Sequence, residues 1–126
     1  MGKEYLIDSN AIIDFFNYSL PKSGIDFLLS LDPIISIITE IEIFGKVGLS
    51  ESEIDKLRQF IKTAMVYDVD KVLASKTIDL RFKHKIKLPD AIIATTAIHN
   101  KLILITRNVS DFDKVEGLEI LNPHSI

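Results

Sequence analysis

The chain has 126 residues, of which 47% are hydrophobic and 26% charged, and its formal net charge is −3 at pH 7. These values are typical of one globular domain, which we expect to cover residues 1–126, and they exclude a disordered chain. The absence of cysteine excludes disulfides, thiolate nucleophiles and cysteine-based metal sites. The net negative charge disfavours a protein that holds nucleic acid through an overall positive charge. No apolar run suits a signal peptide or a membrane span, so we expect a cytoplasmic protein.

Short apolar runs alternate with helical patterns along the first half of the chain. Ser23 is predicted to cap one helix, and Ser50 with Glu53 is predicted to form a capping box for another. In chain order, the predicted elements are a strand over about Glu4–Ile7, a helix from near Asn10 to Asn17, a helix over Gly24–Leu31, a strand in "DPIIS", a helix through "ITEIEIFGKVG" and a helix that runs to about Thr63.

The same alternation continues in the second half, where Asp70 is predicted to cap a helix. In chain order, the predicted elements are a strand in "AMVYDV", a helix to about His84, a helix opened by Leu88, Pro89 and Asp90, a strand in "KLILITRN", a loop in "TRNVSDFDK" and a fifth strand in "GLEIL". Strands that alternate with helices throughout indicate an α/β fold with a parallel sheet.

Four acidic residues stand at or near transitions between predicted elements. Asp8 comes directly after the first strand, at the carboxyl edge of the sheet, where open α/β folds bind their ligands. Glu42, Asp90 and Asp111 stand in comparable positions. Carboxylates gathered at one sheet edge are hard-oxygen ligands for Mg²⁺ or Mn²⁺, and such ions suit phosphodiester hydrolysis. The pattern therefore predicts a metal-dependent nuclease.

Each of these acids also has a purely structural interpretation. Asp8 could cap the first helix, and Asp90 at a helix start is favoured by the helix dipole. Asp111 lies in a predicted loop, where acids are usually solvated. Glu42 competes with Glu40 on the same apolar helix, and helical spacing alone does not choose between them.

Basic residues precede two of the acids in the sequence. Lys85 and Lys87 come shortly before Asp90, and Arg107 precedes Asp111. We predict that these three cations contact substrate phosphates, although "RFKHKIK" is equally consistent with a solvated helix end. The histidines have no metal-ligand spacing and are interpreted as surface or satisfied side chains.

Four motifs, in order along nearly the whole chain, resemble those of the PIN-domain family, and most closely its VapC-type toxin ribonucleases. They are "IDSNAIID", "SIITEIEIFG", "LPDAIIATTA" and "LITRNVSDF". The second motif, Ser-x-x-Thr-x-x-Glu followed by Gly, selects Glu42 over Glu40. The fourth has Asn108 where many relatives carry Asp, so either Asp111 supplies the fourth carboxylate or only three acids bind firmly.

The resemblance implies a three-layer α/β/α sandwich around a short, mainly parallel sheet. It also implies an Mg²⁺- or Mn²⁺-dependent endoribonuclease that leaves 5′-phosphate and 3′-hydroxyl ends and is inhibited by a cognate antitoxin. A homodimer and an antitoxin groove near Phe15, Phe16 and the Glu42 helix are further expectations. The residues implied in catalysis and metal binding are Asp8, Glu42, Asp90 and Asp111, with Asn10, Thr106 and Asn108 in support.

Other functions remain consistent with parts of this pattern. A housekeeping RNA-processing nuclease would use the same acids, and a non-catalytic scaffold of the same fold would normally lose some of them. A phosphatase of flavodoxin-like topology needs a second Asp two residues after Asp8, where this chain has Asn10. A receiver domain needs a late lysine, where Arg107 follows Thr106.

Overall fold

A five-stranded parallel sheet forms the centre of the structure, a computed structural model that describes residues 2–126. The strands are β1 (Tyr5–Ile7), β2 (Ile34–Ser36), β3 (Met65–Tyr67), β4 (Ile103–Ile105) and β5 (Ile120–Leu121). Their order across the sheet is β3-β2-β1-β4-β5, and every pairing is parallel. The central strand is therefore β1, with β4 as its neighbour although nearly 100 residues separate them in sequence.

Helices cover both faces of the sheet. They are α1 (Ser9–Phe16), α2 (Lys22–Leu29), α3 (Ile37–Phe44), α4 (Glu51–Thr63), α5 (Lys71–Lys83), α6 (Leu88–His99) and α7 (Val109–Phe112). None of the helices within residues 2–126 has the length and apolar character needed to cross a bilayer. The predicted three-layer α/β/α sandwich with a parallel sheet is confirmed.

Side chains alternate between the two faces along each strand and form two hydrophobic cores. Leu6, Ile34 and Leu104 belong to one core, which includes most of the apolar face of α6. Ile7 and Ile105, paired directly across β1 and β4, belong to the other core, which includes side chains of α1, α3 and α4. This alternation is the period-2 geometry of strands buried on both faces.

Several helix ends agree with the sequence predictions. Ser50 and Glu53 form the capping box of α4, with both hydrogen bonds at 3.1 Å. The Asp70 carboxylate accepts from the Leu73 amide at 2.8 Å and caps α5. These caps satisfy amides that the first turn of a helix leaves without an intrahelical partner.

Other boundaries differ from the prediction. Ser23 does not cap α2, because the helix already begins at Lys22 after Pro21; the Ser23 hydroxyl instead donates to the Ile126 carbonyl at 2.9 Å. The predicted "ITEIEIFGKVG" helix ends at Phe44, since Gly45 terminates it. The segment predicted as a loop after β4 contains the short helix α7.

Gly24 in α2 packs against the backbone of Pro123, and a Cβ atom at this position would overlap the Pro123 carbonyl oxygen. We therefore expect Gly24→Ala to lower the free energy of unfolding by about 1–3 kcal/mol, although alanine is the better helix former. Urea denaturation measures this change. Gly2→Ala is the control, since nothing lies within 4 Å of its added Cβ. Equal stability of the two variants would contradict the close packing.

Candidate active site

Asp8 lies where β1 ends and α1 begins, and its side chain is almost completely buried, with 5% of the residue exposed. Its Oδ1 accepts from the Ser9 amide at 2.8 Å. Its Oδ2 accepts from the Thr106 hydroxyl at 3.0 Å and from the Asn10 side-chain amide at 3.1 Å. Asp8 is therefore the N-cap of α1, and it also belongs to a polar network that extends beyond the helix end.

Thr106 joins this network from the end of β4, where it is fully buried. Its hydroxyl oxygen accepts from the Asn10 side-chain amide at 3.2 Å and from the Asn108 backbone amide at 3.1 Å. The structure thus places the three predicted supporting residues around Asp8: Asn10 and Thr106 contact its carboxylate, and Asn108 contacts Thr106.

Glu42 reaches the same edge from α3, where its side chain is exposed. Its Oε1 accepts from the Ser9 hydroxyl at 3.1 Å, so one residue of α1 bridges Asp8 and Glu42. The pKa of Asp8 is raised, first by burial and also by the nearby negative charge of Glu42. Hydrogen bonds from Ser9 and Thr106 act in the opposite direction and lower it. Between the two glutamates of α3, Glu42 is the one in contact with the surroundings of Asp8.

Asp90 and Asp111 lie in the first turns of α6 and α7. Burial raises the pKa of Asp90, the charges of Asp8 and Asp111 raise it further, and the charge of Lys87 partly opposes them. Repulsion of this kind acts only between carboxylates that are close in space. The charge coupling therefore connects Glu42 to Asp8, Asp8 to Asp90, and Asp90 to Asp111.

A basic groove runs beside Asp90 and Asp111. We use this name for the open cleft lined by Arg81, Lys85, Ile86, Lys87, Asp90, Ser110, Asp111 and Lys114. Lys85 and Lys87 are exposed in it, and Lys114 donates to the Lys85 carbonyl at 2.7 Å. Two of the three predicted phosphate-binding cations thus lie next to the acids.

The third predicted cation, Arg107, is oriented differently. Its guanidinium Nη1 donates to both carboxylate oxygens of Asp14, at 2.8 and 3.0 Å. The same carboxylate accepts from His124 Nε2 at 2.8 Å. The sequence interpretation of His124 as a satisfied histidine agrees with this contact, whereas the ion pair of Arg107 was not foreseen.

Sequence reasoning missed Ser9 and Asp14 as members of this polar region. A signal for Asp14 was present: Asn10 and Asp14 are four residues apart in the otherwise apolar "NAIIDFF", so they share one helix face. A buried charge on such a helix requires partners. Ser9 gave no comparable signal, because its contact with Glu42 depends on how α1 and α3 pack.

Within residues 2–126, no three His, Asp or Glu side chains lie close enough together to hold a metal ion. The donor chemistry still fits a hard divalent cation, because the coupled groups are all carboxylates and are supported by neutral hydroxyl and amide groups. A cation at this edge would relieve the repulsion that raises the pKa of Asp90. The residues therefore fit such a metal in ligand type and charge.

The raised pKa of Asp90 has a consequence for stability. Because the folded chain disfavours its ionised form, the protonated carboxyl contributes stability below the ordinary carboxyl pKa of about 4, and this contribution is lost as the pH rises through the higher folded-state pKa. We expect Asp90→Asn to melt at a higher temperature than wild type at pH 7 in a chelator, and the gain to disappear towards pH 3. Thermal melting across this range measures it.

Asp55→Asn on α4 is the control for this experiment, because Asp55 is exposed and far from the cluster in sequence. It should leave the melting temperature unchanged at neutral pH. An Asp90→Asn variant that gains nothing at pH 7, or gains equally at pH 3, would show that the folded chain does not disfavour the ionised Asp90 carboxylate.

Comparison with known proteins assigns the family. Comparison with curated protein sequences gives no match. Among solved structures, the chain is similar to one in a toxin–antitoxin complex from Klebsiella pneumoniae, with 32% identity, a TM-score of 0.79, and coverage of 98% of this chain and 100% of that one. It is also similar to a chain of DNA-bound VapBC from Salmonella typhimurium, with 25% identity, a TM-score of 0.81 and coverage of 97% and 99%.

A third structure supports the fold alone. It is VapBC2 from Rickettsia felis bound to a promoter DNA fragment, with 24% identity, a TM-score of 0.80 and coverage of 94% and 97%. The family description "PIN domain" matches residues 5–118, which include all four motifs found in the sequence. The chain belongs to the PIN domain family.

Proposed function

We propose that the chain is a single-domain, cytoplasmic, metal-dependent endoribonuclease that acts as the toxin of a toxin–antitoxin pair. PIN domains are nucleases, and the similar structures include a toxin–antitoxin complex and DNA-bound VapBC. The observation that carries the proposal is the hydrogen-bonded Asp8 at the carboxyl edge of the sheet, linked to Glu42 through Ser9 and accompanied by a groove lined by Asp90, Asp111 and several cations. That combination suits a cation-assisted reaction on a phosphate-containing chain.

In this proposal, four carboxylates hold Mg²⁺ or Mn²⁺: Asp8, Glu42, Asp90 and Asp111. When bound, such an ion neutralises phosphate charge and acidifies an attacking water. Asn10 and Thr106 donate to Asp8 and thereby fix the direction of its free lone pairs, since a carboxylate with two bonded oxygens cannot rotate freely. Asn108 holds Thr106 in place through its backbone amide.

The basic groove is the proposed path of the substrate strand. Lys85 and Lys87 are exposed beside Asp90 and would contact phosphates on one side of the scissile bond. Because the whole chain is slightly acidic, these local cations carry the attraction for RNA that net charge does not supply.

Cleavage is the direct test of the proposal. We expect wild-type protein to cleave single-stranded RNA with Mg²⁺ or Mn²⁺ and to be inactive in a chelator. Asp8→Asn and Asp90→Asn should each reduce the rate by more than the roughly 10–100-fold that losing an outer-shell partner costs, because each removes a charged ligand. The rate constant for cleavage of a labelled RNA measures the loss.

The control for cleavage is again Asp55→Asn, which should retain wild-type activity. RNA binding without cleavage by wild-type protein would favour the non-catalytic scaffold. Near-wild-type cleavage by Asp90→Asn would remove this residue from the reaction. Cleavage restricted to one precursor RNA, with no arrest of growth on expression, would favour a housekeeping nuclease.

The fourth motif leaves open whether Asp111 or Asn108 supplies the fourth metal ligand. A carboxylate oxygen binds Mg²⁺ more strongly than an amide oxygen, and the negative charge of Asp111 raises the pKa of Asp90. We therefore expect Asp111→Ala to weaken Mn²⁺ binding, measured by calorimetry, more than Asn108→Ala does. The reverse order would assign the fourth position to Asn108.

An antitoxin is proposed to bind in the apolar recess beside Phe15 and Phe16. This recess lies between α1, α2 and α4, and its lining includes Leu28, Leu29 and Phe60. Its lining does not include α3, the helix of Glu42; Ile43 of α3 lines a neighbouring recess that shares Phe16. An amphipathic segment with large apolar side chains fits such a surface.

A second copy of the chain is proposed to bind on the outer face of α5. Three large apolar side chains are exposed there: Val72, Ile78 and Phe82, the last with 92% of its surface accessible. Helix α5 already buries Leu73 and Thr77 on its inner side, so the outer residues are not required for packing within one chain.

Leu29→Glu and Ile78→Glu test the two surfaces and serve as controls for each other, because the residues are equally exposed, at 68% and 69%. Leu29→Glu should weaken binding of the proposed antitoxin by at least about tenfold and leave the dimer intact, since it places a charge in an apolar recess. Ile78→Glu should give a monomer by light scattering and retain that binding. A monomeric wild type, or an unaffected Leu29→Glu complex, would refute the corresponding surface.

A further inference from the structure

Asp14 is a buried acid that is not one of the four acids proposed to bind metal. Only 4% of the residue is exposed, and both of its oxygens are occupied. Oδ1 accepts from Arg107 Nη1, and Oδ2 accepts from Arg107 Nη1 and His124 Nε2, at distances of 2.8–3.0 Å. A buried carboxylate with two partners from distant parts of the chain holds those parts together.

Arg107 is attached to α1 at two points. Its guanidinium contacts Asp14, and its backbone amide donates to Asn10 Oδ1 at 2.9 Å. Asn10 and Asp14 are four residues apart and share one face of α1. The backbone and side chain of Arg107 are therefore held by the same helix face, next to Asp8.

This double attachment determines the orientation of the Asn10 amide. With Oδ1 accepting from the Arg107 backbone, Nδ2 faces Asp8 Oδ2 at 3.1 Å and Thr106 Oγ1 at 3.2 Å. A flipped amide would place its oxygen against the Asp8 carboxylate and its NH₂ against the Arg107 N–H, so both contacts would become repulsive. The Arg107 backbone amide thus favours the same orientation of Asn10 as the Asp8 carboxylate does, with Nδ2 donating to Asp8.

His124 adds a third segment to this arrangement. It follows β5, and its backbone amide donates to Asn122 Oδ1 at 2.9 Å. Pro123, between these residues, is buried against Gly24 of α2. The contact with Asp14 therefore ties the segment after β5 to the segment after β4.

We propose that Asp14, Arg107 and His124 form a positioning unit for the nuclease centre: they fix Asn10, and through it Asp8, and Arg107 serves in this unit rather than as a phosphate contact. This inference rests on the proposed function. The guanidinium charge is compensated by Asp14, whereas Lys85 and Lys87 form no ion pair within the described residues and line the groove beside Asp90. The division of roles follows: the lysines bind substrate, and Arg107 orients the support of Asp8.

The test compares Asp14→Asn, Arg107→Ala and Lys87→Ala by steady-state RNA cleavage at several salt concentrations. For a positioning unit, Asp14→Asn and Arg107→Ala should lower kcat by about 10–100-fold, with KM and its salt dependence unchanged. Lys87→Ala should instead raise KM and reduce the salt slope by about one, as loss of a phosphate contact does. Asp26→Asn, which breaks the exposed Lys22–Asp26 pair, should change neither quantity.

Hydrogen exchange of the Arg107 backbone amide provides a measurement that needs neither metal nor RNA. Because this amide is bonded to Asn10 Oδ1, its exchange should accelerate in Asp14→Asn and stay at the wild-type rate in Asp26→Asn. If Asp14→Asn fails to fold, Arg107→Lys serves instead: it keeps the charge, loses the geometry at Asp14, and should show the same faster exchange and lower kcat.

Two results would overturn the proposal. One is an Arg107→Ala variant that behaves like Lys87→Ala, with higher KM, a smaller salt slope and unchanged kcat. The other is unchanged Arg107 exchange in folded Asp14→Asn. If the wild-type protein cleaves no RNA, both the proposed nuclease function and this positioning role are refuted. If the wild-type protein cleaves RNA but the Arg107 amide exchanges at the same rate in Asp14→Asn, only the positioning unit is refuted.

Discussion

The parallel pairing of β1 with β4 is the interaction on which the rest of the structure depends. It aligns Leu6 with Leu104, and the Asp8 amide continues it by donating to the Ile105 carbonyl at 2.9 Å. One residue beyond the pairing, Asp8 and Thr106 meet across 98 residues of sequence. Without this register, a buried carboxylate at the end of β1 would lose its donor from β4, and burial would be strongly unfavourable. The supporting contacts of Asn10, Arg107 and Asp14 all follow from it.

The candidate site combines opposing requirements in a small volume. Burial and mutual repulsion disfavour the ionised form of the acids, whereas the hydrogen bonds to Asp8 favour its ionised form, so the unfavourable ionisation of these acids opposes folding. The two apolar cores on either side of the sheet offset this cost. The lysines of the basic groove lie beside these acids, and the charge of Lys87 opposes only in part the rise in the pKa of Asp90. The two faces of the sheet therefore supply stability, and its carboxyl edge carries the acids and the basic groove.

Local sequence patterns were sufficient for most of the fold and for part of the site. Apolar runs located the strands, and the capping box at Ser50 fixed the start of α4, because both depend on residues close together in the chain. Helical spacing could not choose between Glu40 and Glu42; the motif resemblance did. The partnership of Arg107 with Asp14 lay beyond local reasoning, since it joins positions 93 residues apart and depends on how α1 packs beside β4.

The sheet order has a consequence for the chain during its synthesis. Because β4 inserts beside β1, the pocket around Asp8 lacks Thr106, Arg107 and Asp111 until the last fifth of the 126 residues has left the ribosome. A nascent chain that ends at α6 carries three of the four acids but not the segment that holds Asp8 in place. Contacts this distant in sequence form late, because the loop between them must close first. The segment that holds Asp8 in place is therefore the last part of the candidate site to be synthesised.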